Sequence, residues 1–307
     1  VSTALNGFNN AGMSEGIDFA KLENARKLSA TEYTFHPQLG YISLNQKLTN
    51  DEVLAVAYQY SVGGDVYQVG EFGTDGVDAT NVDSGGIPSS QALVLKMLKS
   101  NLVVVTEPAW DLMMKNIYQI QGGYQLQQED FKFNILYTDP SPLNYITEAG
   151  VDPLPADVEE TPLLKVFNVD KLNYTNDPQE GGDGFFDFIP GLTVDTQKGR
   201  IIFTTVEPFG KHLFEKLRLN PTEDYDGTIY NSNQTKYVFR NLYKSTQAAA
   251  LQESAKNKFQ LKGRFKSMGG DGISIGAFNV PQGSVVVTAG GRVLIEGVDY
   301  TVNYQLG

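Results

Sequence analysis

The sequence predicts a mixed, β-rich α+β fold: antiparallel hairpins and sandwich-like sheets with a few helices, and no complete membrane barrel. Three observations predict it. Paired glycines recur between short runs of β-branched and aromatic residues, and Gly-Gly accepts the positive φ that a two-residue hairpin needs at both central positions. The composition, with 16 Tyr, 17 Phe and 31 Gly in 307 residues, suits an extracytoplasmic β protein. Helical periodicity is confined to a few stretches, too few to build an all-α core.

In chain order, residues 1–40 read as a linker or N-terminal extension, with one short helix expected over Lys21 to Leu28. Tyr41 to Leu44 reads as a strand, and Ala55 to Phe72 as a hairpin turning at Gly63-Gly64. Gly73 to Ser90, with Asp75-Gly76, Asp83 and Gly85-Gly86, is expected as an exposed loop. Gln91 to Leu102 fits either a strand or an amphipathic helix. Pro108 to Tyr118 sets the only tryptophan, Trp110, among methionines and reads as a hydrophobic core plug. Ile117 to Ile120 and Tyr124 to Gln127 flank Gly122-Gly123 as a further hairpin, and Phe131 to Tyr137 is a clean strand.

Prolines at 140, 142, 153 and 155 withhold ladder donors. They place a boundary near residues 140 to 150, between a β-rich domain over 41–145 and an α+β domain over 146–307. In the second domain, Thr161-Pro162 opens a helix over 162–172, as an N-cap followed by proline at the first helical position. Strands are expected at Phe185 to Phe188, Leu192 to Val194 and Arg200 to Val206, and a short helix within Pro208 to Leu219. Gln234 to Ser254 reads as one long helix with Val238, Leu242, Ser245 and Ala249 on one face. Phe259 to Lys266 and Ile273 to Asn279 are strands. Ser284 to Ala289 and Arg292 to Glu296 form a Gly290-Gly291 hairpin, followed by a third strand, Asp299 to Tyr304. Thr193-Val-Asp-Thr-Gln-Lys-Gly199 is echoed by Thr301-Val-Asn-Tyr-Gln-Leu-Gly307. Because the first copy leads into a strand, the second implies a strand beyond the chain's end, leaving Asp299 to Tyr304 as an edge.

Charge and composition narrow the function. With 24 basic and 36 acidic residues the net charge is −12, which repels a phosphate backbone or an anionic bilayer and argues against nucleic-acid and lipid partners. The absence of cysteine excludes disulfides, thiolate metal sites and a cysteine nucleophile. No run of 18 apolar residues reads as a membrane-spanning helix.

The best metal candidate is the acidic loop Asn176 to Asp187, where Asp177, Asp183 and Asp187 offer oxygens on tight turns of the kind a calcium ion takes, although the spacing fits no EF-hand. Asp183 with Asp187, or Glu159 with Glu160, offers two carboxylates of the kind glycoside hydrolysis needs, although exposed carboxylates are abundant in a chain of this charge. His36 and His212 fall in different expected domains. No Gly-x-Ser-x-Gly elbow, Walker loop or His-Glu-x-x-His occurs, so no catalytic residue is assigned.

Several stretches carry a family resemblance: Asp65-Val-Tyr-Gln-Val-Gly-Glu-Phe72, Ala109-Trp-Asp-Leu-Met-Met-Lys-Asn-Ile-Tyr118, Asp187-Phe-Ile-Pro-Gly-Leu-Thr-Val-Asp195, Gly199-Arg-Ile-Ile-Phe203, Glu207-Pro-Phe-Gly210, Lys256-Asn-Lys-Phe-Gln-Leu-Lys-Gly263 and Val280 to Gly307. In this order they resemble the SprA/Sov family, very large Bacteroidetes surface proteins of gliding motility and type IX secretion. The resemblance runs from about Tyr41 onward. It implies an outer-membrane translocon, a giant β-barrel that exports folded cargo with accessory subunits and a plug, and it implies no catalytic residues and no cofactor. The strands here are too few and the polar loops too long for a lipid-facing barrel, which alternates over ten-residue strands with aromatic girdles. The expectation is a non-enzymatic structural module attached to such a barrel, at the outer membrane or cell surface and not itself membrane-inserted, with secreted cargo and translocon subunits as partners. The competing expectation is a surface glycan-binding module, with Tyr41, Trp110 and Tyr124 as an aromatic platform.

Overall fold

The computed structural model describes residues 7, 8, 10–23, 25–73, 81, 82, 88, 89, 93–266, 275–277, 279–289, 291–300, 302 and 304. Its strands are β1 (Tyr33–His36), β2 (Tyr41–Leu44), β3 (Leu54–Val56), β4 (Tyr58–Val62), β5 (Asp65–Val69), β6 (Asn81–Val82), β7 (Pro88–Ser89), β8 (Lys96–Lys99), β9 (Ile117–Gln119), β10 (Lys132–Tyr137), β11 (Val194–Asp195), β12 (Arg200–Ile202), β13 (Phe259–Arg264), β14 (Thr288–Ala289) and β15 (Arg292–Val293). The helices are short: α1 (Pro108–Asp111), α2 (Leu163–Val166), α3 (Leu213–Lys216), α4 (Ser232–Tyr237), α5 (Asn241–Lys244) and α6 (Gln247–Gln252). Named strands pair antiparallel in ribbons of two, except for the three-stranded β11-β12-β9 sheet. The fold is therefore mixed and β-rich, and no closed barrel forms among the described residues. Nor is any helix among them long and apolar enough to cross a membrane.

The chain divides into two compact units that alternate along the sequence. The first comprises Val1–Asn116, Ala149–Pro153 and Val206–Asn257, and the second Ile117–Glu148, Leu154–Thr205 and Lys258–Gly307. A single boundary near 140 to 150 does not describe this division. Strand β10 belongs with β13, residue for residue from Lys132 against Arg264 to Tyr137 against Phe259, and so ties chain on both sides of the expected cut into one unit.

In the first unit the core gathers around a turn of π-helix, Pro208–His212, and the helices that follow it. Phe209, Leu213, Phe214, Leu217, Tyr237, Val238, Phe239 and Tyr243 are buried there. Burial of each large side chain contributes roughly 1.5–3 kcal/mol. Gly210 is forced: a Cβ at this position would lie 2.6 Å from both the Tyr225 hydroxyl and the Tyr243 ring. The helix expected over 234–254 is instead three short helices. Helix α4 starts earlier, on an Asn231 and Gln234 capping box. It stops at Val238, which turns extended as the Phe239 amide bonds to the Phe209 carbonyl at 2.8 Å. Ser245 is also extended, and Thr246 caps α6 by accepting from the Ala249 amide.

In this unit β4 and β5 meet across Gly63 (φ 61°) and Gly64 (φ 98°), the turn geometry that the glycine pair demands. Lys96–Lys99 within the ambiguous 91–102 stretch is a strand, paired with β3. The expected loop after Gly73 contains the small β6-β7 ribbon, while Asp75-Gly76, Asp83 and Gly85-Gly86 lie outside the described residues. No helix is present among the described residues of 21–28; Leu22 is half exposed, so there is no buried face to stabilise one. The 108–118 stretch also departs from a core plug. Trp110 is half buried, whereas Leu112, Met113 and Met114 face outward.

The second unit packs Ile135, Tyr137, Ile146, Val158, Leu163, Phe167, Val194, Ile201 and Phe203 into its core. Phe167 sets its ring edge-on to both Phe203 and Phe259. Helix α2 is a single turn rather than a helix to residue 172. Asn168 enters the left-handed region (φ 57°) and the Val169 amide closes on the Leu164 carbonyl at 3.0 Å, a Schellman-type stop. Thr161 does not cap it, because its hydroxyl donates to the Glu159 carbonyl.

The hairpin expected across Gly122-Gly123 does not close on itself. The turn exists, with the Gly123 amide on the Ile120 carbonyl, but β9 pairs with β12, and the Leu126 amide bonds to the Thr196 carbonyl. Both arms thus border the 194–202 hairpin. Its turn uses the Asp195 carboxylate on the Lys198 amide and Gly199 at φ 63°.

The closing stretch is shorter in regular structure than expected. β14 pairs with β15, but 299–300 belong to a tight turn around Gly297 in which the Gly297 amide bonds to the Tyr300 carbonyl at 2.7 Å. Positive φ at Gly276 and Asn279 interrupts the strand expected over 273–279. Residues 273, 274 and 278 lie outside the described residues, as do Thr301, Asn303 and 305–307, and with them most of the second copy of the Thr193 echo.

Candidate functional site

The acidic loop, in the second unit, is organised around a residue that sequence reading passed over. Asp170 is almost fully buried, and its two carboxylate oxygens accept the Asp183 and Gly184 amides at 2.9 and 3.1 Å. Gly182 sits so close that a Cβ would lie 2.0 Å from Asp170 Oδ1. Burial pushes the Asp170 carboxyl above its ordinary range against the pull of those two amides, and the charges of Asp183 and Asp187 add to the rise.

The expected ligands already accept amide and hydroxyl donors close by in the chain. Asp187 accepts the Lys171 amide at 2.7 Å and the Leu172 amide at 3.2 Å. Asp183 accepts the Phe185 amide at 3.0 Å, and Asp177 accepts the Thr175 hydroxyl at 2.7 Å. Among the described residues, no three acidic or histidine side chains are grouped to hold a metal ion. The arrangement is that of Asx turns: short polar side chains satisfying amides that glycine-rich backbone leaves open.

The buried polar chemistry of the first unit lies elsewhere. Glu207 is 8% exposed and accepts the Tyr225 hydroxyl at 2.6 Å while pairing with Lys244 at 3.3 Å. Lys244 also reaches Asp111 at 3.2 Å, and Trp110 Nε1 donates to the Tyr243 carbonyl at 2.6 Å. Lys115 lies 4.9 Å from the Trp110 ring centre. Burial, and then hydrogen bonding to Glu207, raises the Tyr225 phenol far above its ordinary value, so this tyrosine stays a neutral donor. Burial lowers Lys115. For Lys244 burial also acts downward, but its bonds to Asp111 and Glu207 outweigh it and hold the ammonium charged.

A second buried carboxylate, Glu223, accepts Leu219 N at 3.0 Å, Gln234 Nε2 at 2.9 Å and Asn231 Nδ2 at 3.2 Å. Both networks tie short helices and the turns between them together. Glu207 falls in a stretch quoted above, Glu207-Pro-Phe-Gly210, yet nothing in the sequence marks its carboxylate or that of Glu223 as buried, since both resemble any other carboxylate until tertiary packing buries them.

The remaining candidates are dispersed. Glu159 and Glu160 are exposed. A shallow depression in the first unit beside Glu15, Gly16, Lys21 and Leu102 holds one carboxylate, not two. Both histidines fall in the first unit rather than in separate domains. His36 stacks on Tyr41 across the β1-β2 pair at 4.2 Å, and His212 ends the π-helical turn. Of the expected aromatic platform, Tyr41 is buried and Trp110 is half buried and bonded to Tyr243 in the first unit, and Tyr124 is exposed in the second.

The outward aromatic feature is instead the β4-β5 ribbon. Tyr60 lies directly opposite Tyr67 with rings 5.3 Å apart, and Tyr58 stands 6.1 Å from Tyr60 on the same face. The three tyrosines are 43–46% exposed, and Val62 and Val66 are more exposed still. Gln59 and Gln68 bond to each other across the opposite face at 3.1 Å. No family model matches this sequence, and no curated protein matches it.

Proposed function

We propose that this chain is a non-enzymatic structural module of a large outer-membrane or cell-surface protein similar to the type IX secretion translocon, which exports folded proteins and supports gliding motility. The observation that carries this reading is the β4-β5 ribbon, on one face of which Tyr58, Tyr60, Tyr67 and Val62 are exposed on a two-stranded sheet. An isolated two-stranded hairpin is only marginally stable, and contiguous exposed apolar surface marks a contact site. The carboxylates of the acidic loop and of the buried networks support the non-enzymatic part, because they are committed to backbone and side-chain amides, to the Thr175 and Tyr225 hydroxyls and to Lys244. Secreted cargo and other translocon subunits are the partners this reading names, and the resemblance of the ordered motifs supports the surface location.

The test is a photo-crosslinking amino acid in place of Tyr60 or Tyr67, irradiation of intact cells, and mass spectrometry of the adducts. Envelope proteins and exported cargo are the expected products, and recovery of cytosolic proteins alone refutes the assignment. A glycan-binding surface module is the second reading, favoured by the same three tyrosines on one face. Retention on immobilised cell-surface polysaccharide, lost in Tyr60→Ser/Tyr67→Ser, would select it.

A further inference from the structure

The outward face of the β10-β13 ribbon gathers positive charge in a chain whose net charge is −12. Residues directly opposite in an antiparallel pair share a face, with Cβ atoms about 4.5–5.5 Å apart. The register sets Lys132 against Arg264 and Asn134 against Lys262, and the next pair along that face brings in Gln260. The other face carries Ile135, Tyr137, Phe259 and Leu261 toward the core. Lys132, Lys262 and Arg264 are exposed, and no carboxylate among the described residues pairs with them within salt-bridge distance. The acids at this end, Glu129 and Asp130, are held by Lys266 at 3.4 and 2.7 Å.

Like charges directly opposite on a sheet are destabilising. Here Lys132 stands opposite Arg264 with Lys262 diagonally beside them, none of the three in an ion pair of its own, and the Asp130 carboxylate whose charge reaches Lys132 and Arg264 is already bound to Lys266, while the chain as a whole carries excess acid. We infer that this face of β10-β13 is a docking surface for a short acidic polypeptide segment of a partner protein, with Lys132, Lys262 and Arg264 as its anchors and Asn134 and Gln260 as neutral donors between them.

Charge complementarity selects this occupant. Screening at physiological salt confines attraction and repulsion to about 8 Å. A narrow acidic segment can therefore meet the three cations, with Glu129 and Asp130 at that end held by Lys266. An anionic bilayer or a nucleic acid is broad enough to confront the chain's excess acid as well. The inference is independent of the surface-module reading, since it rests on register and charge alone.

The probe is a fluorescein-labelled peptide of alternating Glu and Thr, followed by anisotropy against the intact chain. Binding is expected, weakened by added salt, and weakened about tenfold or more in K132Q/K262Q/R264Q, because several ion pairs are lost together. The comparison variant K27Q/K47Q/K211Q removes the same charge from exposed lysines elsewhere and is expected to bind as wild type does. Far-UV circular dichroism establishes that each variant is folded, and the single variants K262Q and R264Q extend the test should the triple be perturbed. Absence of peptide binding, equal weakening by the two triple variants, or binding to phosphatidylglycerol vesicles in preference to the peptide would each overturn the inference.

Discussion

Tyr225→Phe deletes one hydroxyl from the interior of the first unit. Its cost can be worked from two contacts. Tyr225 is 3% exposed and its hydroxyl lies 2.6 Å from Glu207 Oε2, itself on a nearly buried residue. A hydrogen bond to a charged acceptor contributes about 1.5–3 kcal/mol. Glu207 keeps Lys244 at 3.3 Å after the substitution and is not orphaned, so the lower part of that range applies, about 2 kcal/mol.

Trp110 reports the loss selectively. It is the only tryptophan, it belongs to the first unit, and its indole donates to the Tyr243 carbonyl beside the network. With a urea slope of about 1–3 kcal/mol/M, the midpoint of the Trp110 fluorescence transition should fall by about 1 M at unchanged slope. In a Glu207→Leu background the same substitution should cost close to nothing, since the acceptor is gone. A change within about 0.5 kcal/mol in the wild-type background, or an equal loss with and without Glu207, would refute the reasoning.

Three further outcomes are expected. Gly199→Ala should destabilise the second unit by about 3 kcal/mol in chemical denaturation, because a Cβ would lie 2.2 Å from the Gly123 carbonyl oxygen at a positive φ. Adding a chelator should leave the melting midpoint unchanged, since Asp177, Asp183 and Asp187 already accept nearby amide and hydroxyl donors; a drop in the midpoint would reveal a bound metal and contradict this. Glu32, bonded to Arg26 and Ser29, is held down to about 2, below the ordinary 4.5. Its unfolded form therefore takes the proton first, so the contribution is present above pH 4.5 and is lost as pH falls through about 2. A carboxyl NMR titration of Glu32 with an ordinary midpoint would contradict this.

The parts of the fold readable in the sequence are those decided within a few residues. Gly63-Gly64 sets the β4-β5 turn because only backbone free of a Cβ takes positive φ twice in succession at little cost. Phe131 to Tyr137 announces β10 by alternation, and Gly199 announces the turn into β12. The acidic loop was readable as a cluster of turn-forming residues, though not in its use: the same oxygens that suit a cation also suit backbone amides, and Asp170, far from the loop's conspicuous residues, organises it.

What the sequence by itself determined is the class of fold, the positions of the tight turns and, through the missing cysteine, the absence of any disulfide. Tertiary structure alone decided which strands meet, where helices stop and which carboxylates matter. Strand pairing is chosen by distant partners, so β9 passes over its neighbour across Gly122-Gly123 for β12, and β10 finds β13. The 234–254 periodicity is continuous in the sequence, yet the Phe209 carbonyl takes the Phe239 amide and the helix ends there. Glu207 and Glu223 become structural only when packing removes water and leaves a tyrosine, a lysine and two amides as their partners. Local geometry is written in residue type, whereas desolvation and long-range pairing depend on which segments arrive together.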